Sequence, residues 1–106
     1  MRRVGLAVVR GRSMQPTLYD GHRLLVLHGA VPRTGRLVVV RLPGGVVAVK
    51  RATRKEPDGW WVERDNTEEG VDSRTVGAIP ERDVLAIVCC RVWPRPGLLR
   101  RRPHAG

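Results

Sequence analysis

Arg36-Leu37-Val38-Val39-Val40-Arg41-Leu42 and Val46-Val47-Ala48-Val49-Lys50-Arg51-Ala52, separated by Pro43-Gly44-Gly45, decide the fold. Two β-branched runs around a Gly-rich turn make a β-hairpin. Next along the chain, Glu56-Pro57-Asp58-Gly59 carries turn chemistry, with Trp60-Trp61-Val62 as the return strand. Toward the N-terminus, Leu6-Ala7-Val8-Val9 reads as a short buried strand and Leu24-Leu25-Val26-Leu27 as another, with a loop at Val31-Pro32-Arg33-Thr34-Gly35. Pro16 holds Gln15 in extended geometry, so no regular helix is expected through Ser13. Residues 65–79 are polar and Gly-bearing, a long loop expected to be functional or packed. Residues 84–92 form the last apolar strand, and Pro94, Pro96 and Gly97 close the fold. Short strands at this spacing predict an all-β barrel or sandwich with little helix. The expected organisation is one domain over residues 1–97 and a basic, disordered tail over 98–106.

Composition narrows the function. The chain has 106 residues and a formal net charge of +10, with no Phe and 17 Val. No apolar run approaches the ~20 residues that span a bilayer, which leaves only peripheral membrane contact. The apolar run after Met1-Arg2-Arg3 is shorter than a secretory h-region. Cys89 and Cys90 are adjacent, so they cannot staple distant segments, and a reducing, cytoplasmic setting is expected. Neither a Cys/His zinc spacing nor a Gly-rich phosphate loop is present, and no metal or cofactor is expected. The charge itself suggests nucleic acid. Yet 18 of the 20 bases are Arg, scattered along the chain, and the one dense run is Arg100-Arg101-Arg102. Four aromatic residues leave little on which bases could stack. A nucleic-acid partner is not the favoured reading.

Lys50 is out of place. Period-2 alternation puts Val46, Ala48 and Lys50 on one face of the strand, with Arg51 on the other. In a chain that otherwise draws its positive charge from Arg, a Lys at the end of an apolar strand has a chemical reading. Guanidinium keeps its proton at any usable pH, whereas a desolvated ammonium can lose it. A neutral amine is a competent general base, and a serine hydroxyl is a nucleophile it can activate. The bland alternative is an edge-strand lysine whose head snorkels into water. Ser13, between Gly11 and Pro16 on a non-helical turn, is the candidate nucleophile.

Three segments carry a resemblance. Gly11-Arg12-Ser13-Met14-Gln15-Pro16-Thr17-Leu18 resembles the nucleophile segment S-M-x-P-T-L of the type I signal peptidase family. Val49-Lys50-Arg51 resembles that family's lysine segment, and Asp65-Asn66 with Asp72-Ser73-Arg74 and Gly77 resembles its G-D-N…D-S-R…G box. The resemblance implies a coiled-sheet, barrel-like all-β fold and a Ser/Lys serine endopeptidase. Ser13 Oγ would attack the scissile carbonyl and Lys50 would take its proton. The Ser13 N–H, with Gly11 and Met14 beside it, would serve the oxyanion and the substrate. Asp65, Asn66, Asp72, Ser73 and Arg74 would hold the loop behind the lysine. The substrate, a precursor protein, would lie extended along residues 6–10 and 46–50, in pockets suited to small side chains.

Several positions depart from the pattern. Gly11 stands where many members have a hydroxyl, and Gly70 where many have a serine that orients the lysine. Arg64 replaces the glycine of G-D-N, while Gly21-His22 and Gly35-Arg36 stand where Gly-Asp pairs are familiar. Ser73 is a candidate to substitute as the lysine's partner. Only 12 residues precede Ser13, which is read as lacking a membrane anchor or a DNA-binding domain. A short soluble version resembles the nickel-type superoxide dismutase maturation protease subgroup, as do Gly59-Trp60-Trp61-Val62, Pro80 and Val84-Leu85. The implied function is removal of an N-terminal leader or pro-segment from a precursor. Two alternatives stand beside it: a non-catalytic peptide-binding relative and a basic nucleic-acid-binding β-barrel. Of the Trp60-Trp61 pair, one ring is expected in the core and the other along a peptide groove.

Overall fold

The computed structural model describes residues 2–99. Its strands are β1 (Arg3–Val8), β2 (Arg23–His28), β3 (Leu37–Arg41), β4 (Val47–Glu56), β5 (Gly59–Glu63), β6 (Val84–Trp93) and β7 (Gly97–Leu98). One helical turn, α1 (Ser73–Val76), and a 3-10 turn (Glu81–Asp83) complete the elements. The fold is all-β with little helix.

The sheet runs β1-β2-β6-β3-β4-β5, with β7 added on β6, and every pairing is antiparallel. The β3–β4 hairpin predicted from its valines forms in register, with Val38 opposite Lys50 and Val40 opposite Ala48. Its turn is closed by Leu42 N–H donating to Val46 O at 2.7 Å. Gly44 and Gly45 both have φ above +90°, a conformation that a side chain would oppose. The β4–β5 hairpin turns at Pro57-Asp58, between Glu56 and its partner Gly59.

β3 is buried on both faces because it separates two cores. Leu37 and Val39 pack into one with Met14, Leu18, Leu24, Val26 and Val49. Val38 and Val40 pack into the other with Ala52, Trp60, Val62 and Ile79. Branched side chains on a pleated surface fill such a two-sided position without aromatic bulk.

The sheet coils strongly. β1 and β4 are four strand spacings apart in its order, about 19 Å in a flat sheet. Nevertheless both line one cavity of about 50 Å³. This curl brings the N-terminal strand beside the strand that carries Lys50.

The N-terminal strand differs from expectation. Leu6-Ala7-Val8-Val9 was expected to be buried, but Val4 and Leu6 are each 70% exposed and only Val9 is in the core. β1 is an edge strand with one covered face, so consecutive apolar residues alternate between core and solvent. At the other end, β7 pairs with β6 through Leu98 opposite Cys90, and Leu99 packs against the first core. The rest of the expected tail, residues 100–106, lies outside the described residues.

Candidate active site

β4 and the β1–β2 connection build the site. The connection leaves β1 at Val9 and is pinched shut by Val9 N–H donating to His22 O (2.9 Å) and Gly21 N–H donating to Val9 O (2.8 Å). Inside it, Ser13 stands on a run of turns, with the Gln15–Pro16 bond cis. Leu18 N–H donates to Met14 O at 2.9 Å, and both side chains are buried in the first core. The two residues anchor the turn that presents Ser13.

Lys50 meets Ser13. It is 2% exposed, so the snorkelling alternative does not describe it. Its Nζ donates to Ser13 Oγ at 2.9 Å, the amine's one hydrogen bond among the described residues. Burial pushes the amine below the ordinary lysine range; the Asp72 carboxylate opposes this and the Arg64 guanidinium adds to it. The Ser13 N–H has no hydrogen-bond partner among the described residues, which leaves it open to an oxyanion. Gly11 N–H, by contrast, is taken by Asp20 Oδ1 at 2.7 Å.

Asp65 and Asn66 grip the nucleophile turn from behind. Asn66 N–H donates to Ser13 O at 2.8 Å, and its Nδ2 donates to Arg12 O at 2.9 Å. Asp65 N–H donates to Met14 Sδ at 3.4 Å, while its carboxylate accepts from the Thr17 hydroxyl. That carboxylate also takes both prongs of Arg51, Nε at 2.9 Å and a terminal nitrogen at 2.7 Å. A third Arg51 N–H reaches Gly35 O at 2.8 Å, so the residue after Lys50 ties β4 to the loop before β3 and to the nucleophile turn. Arg51 and Asp65 side chains are 5% and 4% exposed, a buried ion pair. Sequence reading placed Arg51, Thr17 and Gly35 within or beside the family-like segments but gave none of them a bonding role. The Arg-Asp partners lie 14 residues apart, and no spacing rule announces them.

The later box lies one step further out. Asp72 is fully buried and caps α1 by accepting from Arg74 N–H at 3.0 Å. It also accepts from Arg64, through the backbone N–H at 3.1 Å and the guanidinium at 3.2 Å. Ser73 Oγ accepts from Val62 N–H at 2.8 Å and makes no hydrogen bond to Lys50. Its hydroxyl therefore serves β5 instead of replacing a lysine partner. Arg74 is exposed and pairs with Glu63 at 3.0 Å. The ring of Trp61 lies under the Arg54 guanidinium, 4.4 Å away, not along the Ser13 cavity, and Trp60 is in the second core.

Gly70 has a use that a reading of lost hydroxyls does not reveal. A Cβ built on it falls 2.4 Å from Ser13 Cβ, and its φ is +106°. A serine at this position would collide with Ser13, so the segment lies directly on that residue because it has no side chain. Arg64 closes the same segment: one terminal nitrogen holds Asp72, the other donates to Thr67 O at 3.0 Å, and its stem passes beside Gly70.

A groove runs up to Ser13. Residues 7–10 line one wall, Val47, Ala48 and Val49 line the other, and Ser13 and Met14 close the end. Both walls offer unpaired backbone. Among the described residues β1 has β2 on one side only, and β5 begins its pairing with β4 at Arg51, leaving the preceding residues of β4 free on that edge. No helix among the described residues is long and apolar enough to cross a membrane. A family model described as Peptidase S24-like matches residues 2–89, while none of the curated proteins matches.

Proposed function

Because this chain belongs to the Peptidase S24-like family, whose function is of the serine-peptidase type, we propose that it is a Ser13/Lys50 endopeptidase that removes an N-terminal leader or pro-segment from a precursor protein. The observation that carries the reading is the 2.9 Å contact between Lys50 Nζ and Ser13 Oγ in a buried setting. In the neutral state of Lys50 this contact reverses: the amine accepts the Ser13 hydroxyl proton as Oγ bonds to the scissile carbonyl carbon. The carbonyl oxygen becomes an oxyanion facing the Ser13 N–H. As the C–N bond breaks, the lysine ammonium returns its proton to the leaving amine. Water, deprotonated by the same lysine, then adds to the acyl carbon; the bond to Ser13 Oγ breaks, and Oγ takes the proton back from the lysine ammonium. The substrate enters as a strand between β1 and β4, its backbone pairing with the two free edges.

Rate should follow the free amine of Lys50. kcat/KM is predicted to rise with pH to a plateau, with its midpoint below the ordinary lysine value. Arg64→Met removes a positive neighbour and eases protonation of Lys50, so the midpoint should move to higher pH. A purely structural role for Arg64 would lower the rate and leave the midpoint in place. A pH–rate series on both proteins distinguishes these outcomes.

The function is tested by incubating the protein with N-terminally extended precursors and reading cleavage by mass spectrometry. The nickel superoxide dismutase precursor is the first to offer, on the sequence resemblance. One new N-terminus in the wild-type reaction, absent with Ser13→Ala, is the expected result. Identical fragments from both proteins would sink the reading.

A further inference from the structure

The groove is apolar or neutral along its lining except at one residue, Arg10. This exposed arginine lies two residues past the end of β1 and three before Ser13, and it lines the same cavity as Ser13. Among the described residues its guanidinium has no hydrogen bond or ion pair.

Four acids of the β1–β2 connection and of the segment packed on Ser13 have other partners. Asp20 accepts from Gly11 N–H, Glu69 faces Arg12 at 3.5 Å, and Asp65 and Asp72 are held by Arg51 and Arg64. An unpaired guanidinium beside a groove of Val and Ala is a selective feature, since its five N–H donors match a carboxylate fork and nothing else in the lining does.

We propose that Arg10 is a specificity residue that reads an acidic side chain, Asp or Glu, on the substrate close to the bond cut. The substrate class is thus a peptide segment with small apolar residues in the groove and one carboxylate beside them. At about 3.3 Å per residue, a strand bound along β1 brings only the one or two residues nearest the scissile bond within the guanidinium's reach. A peptide fits better than a nucleic-acid phosphate because the groove is walled by unpaired strand edges, whose N–H and C=O groups match a peptide backbone. The inference rests on the proposed reading of the groove as a substrate site.

The test uses a set of Ala/Val dodecapeptides in which one Glu, Gln or Lys is moved a position at a time. Cleavage is measured with the wild-type protein, and binding is measured by fluorescence anisotropy with Ser13→Ala. At one position the Glu peptide should exceed the Gln peptide by about fivefold in kcat/KM and in affinity, the upper range for a solvent-accessible ion pair. The Lys peptide should fall below both. This preference should shrink as salt is raised. Arg10→Gln should bring the Glu-to-Gln ratio to one, and Arg10→Glu should turn the preference toward Lys.

Equal handling of Glu, Gln and Lys at every position, or a Glu preference that survives Arg10→Gln, overturns the inference while leaving the peptidase reading intact. Glu-selective binding without cleavage sustains the Arg10 assignment and removes the peptidase. Absence of both binding and cleavage across the whole set overturns both.

Discussion

Lys50→Met lowers cleavage by about 10²–10⁴-fold, the usual effect of removing a general base, and Lys50→Arg is equally impaired. The pairing of these variants matters. Arginine restores the charge, the length and a donor to Ser13, but it cannot accept the serine proton at any working pH. An account in which Lys50 merely holds positive charge near the substrate would let Arg rescue. Lys50→Met also carries a stability signature of opposite sign. Burial lowers the amine's pKa in the fold, so below the ordinary lysine value the folded protein binds fewer protons than the unfolded chain. The wild-type lysine therefore costs stability at neutral pH, and that cost grows as pH falls from the unfolded-chain pKa toward the lowered folded one. Lys50→Met should match or exceed the wild type in chemical denaturation at pH 7 while being inactive. A variant that is both inactive and much less stable would point to a structural lysine.

Asp65→Ala destabilises the fold by about 3–5 kcal/mol, because it strands the buried Arg51 guanidinium without its carboxylate. For a domain of this size that is a fall in Tm of roughly 15–30 °C. The effect reaches the active site, since the same carboxylate holds Thr17 on the turn that presents Ser13. Arg51→Met combined with Asp65→Leu should recover most of the lost stability, as apolar pairs of similar volume often do. It should not recover full activity, since Thr17 has lost its acceptor. Denaturant titration of the single and double variants checks the first claim, and kcat of the double variant checks the second. A loss below about 1 kcal/mol for Asp65→Ala would be the value of a solvated surface pair, and would contradict the buried bidentate geometry.

The Ser13–Lys50 pairing was legible in the sequence because both residues are locally conspicuous. Lys50 is one of two lysines among 18 arginines and ends a run of Val and Ala, while Ser13 sits between a glycine and a proline. The β3–β4 hairpin was legible for a similar reason, since Val runs and a Gly pair each have one strong local meaning. The Arg51–Asp65 pair was not, because arginine is so common here that no single one stands out, and its partner comes from a loop whose path no periodicity encodes. Gly70 carries a packing role that its sequence reading did not include. In the sequence it is marked only by the serine that many relatives have there. In the structure its missing Cβ is what lets the loop lie on Ser13. Leu6 differs in another way: apolarity alone does not say whether an edge strand has a second layer over it, and among the described residues none covers it. Asp72-Ser73-Arg74 was read as support, and its fully buried N-cap makes one helical turn inside what looked like plain loop.

The central claim is that Ser13 is a nucleophile made reactive by Lys50, and acylation can be watched without knowing the natural substrate. The wild-type protein is mixed with an Ala-Ala peptidyl thioester, quenched in acid at intervals, and analysed by intact and fragment mass spectrometry. The account predicts an acyl adduct that maps to Ser13, forms faster as pH rises, and is missing in Ser13→Ala and Lys50→Arg alike. An adduct on another residue, or one that forms on Ser13 at the same rate in Lys50→Arg, would contradict it.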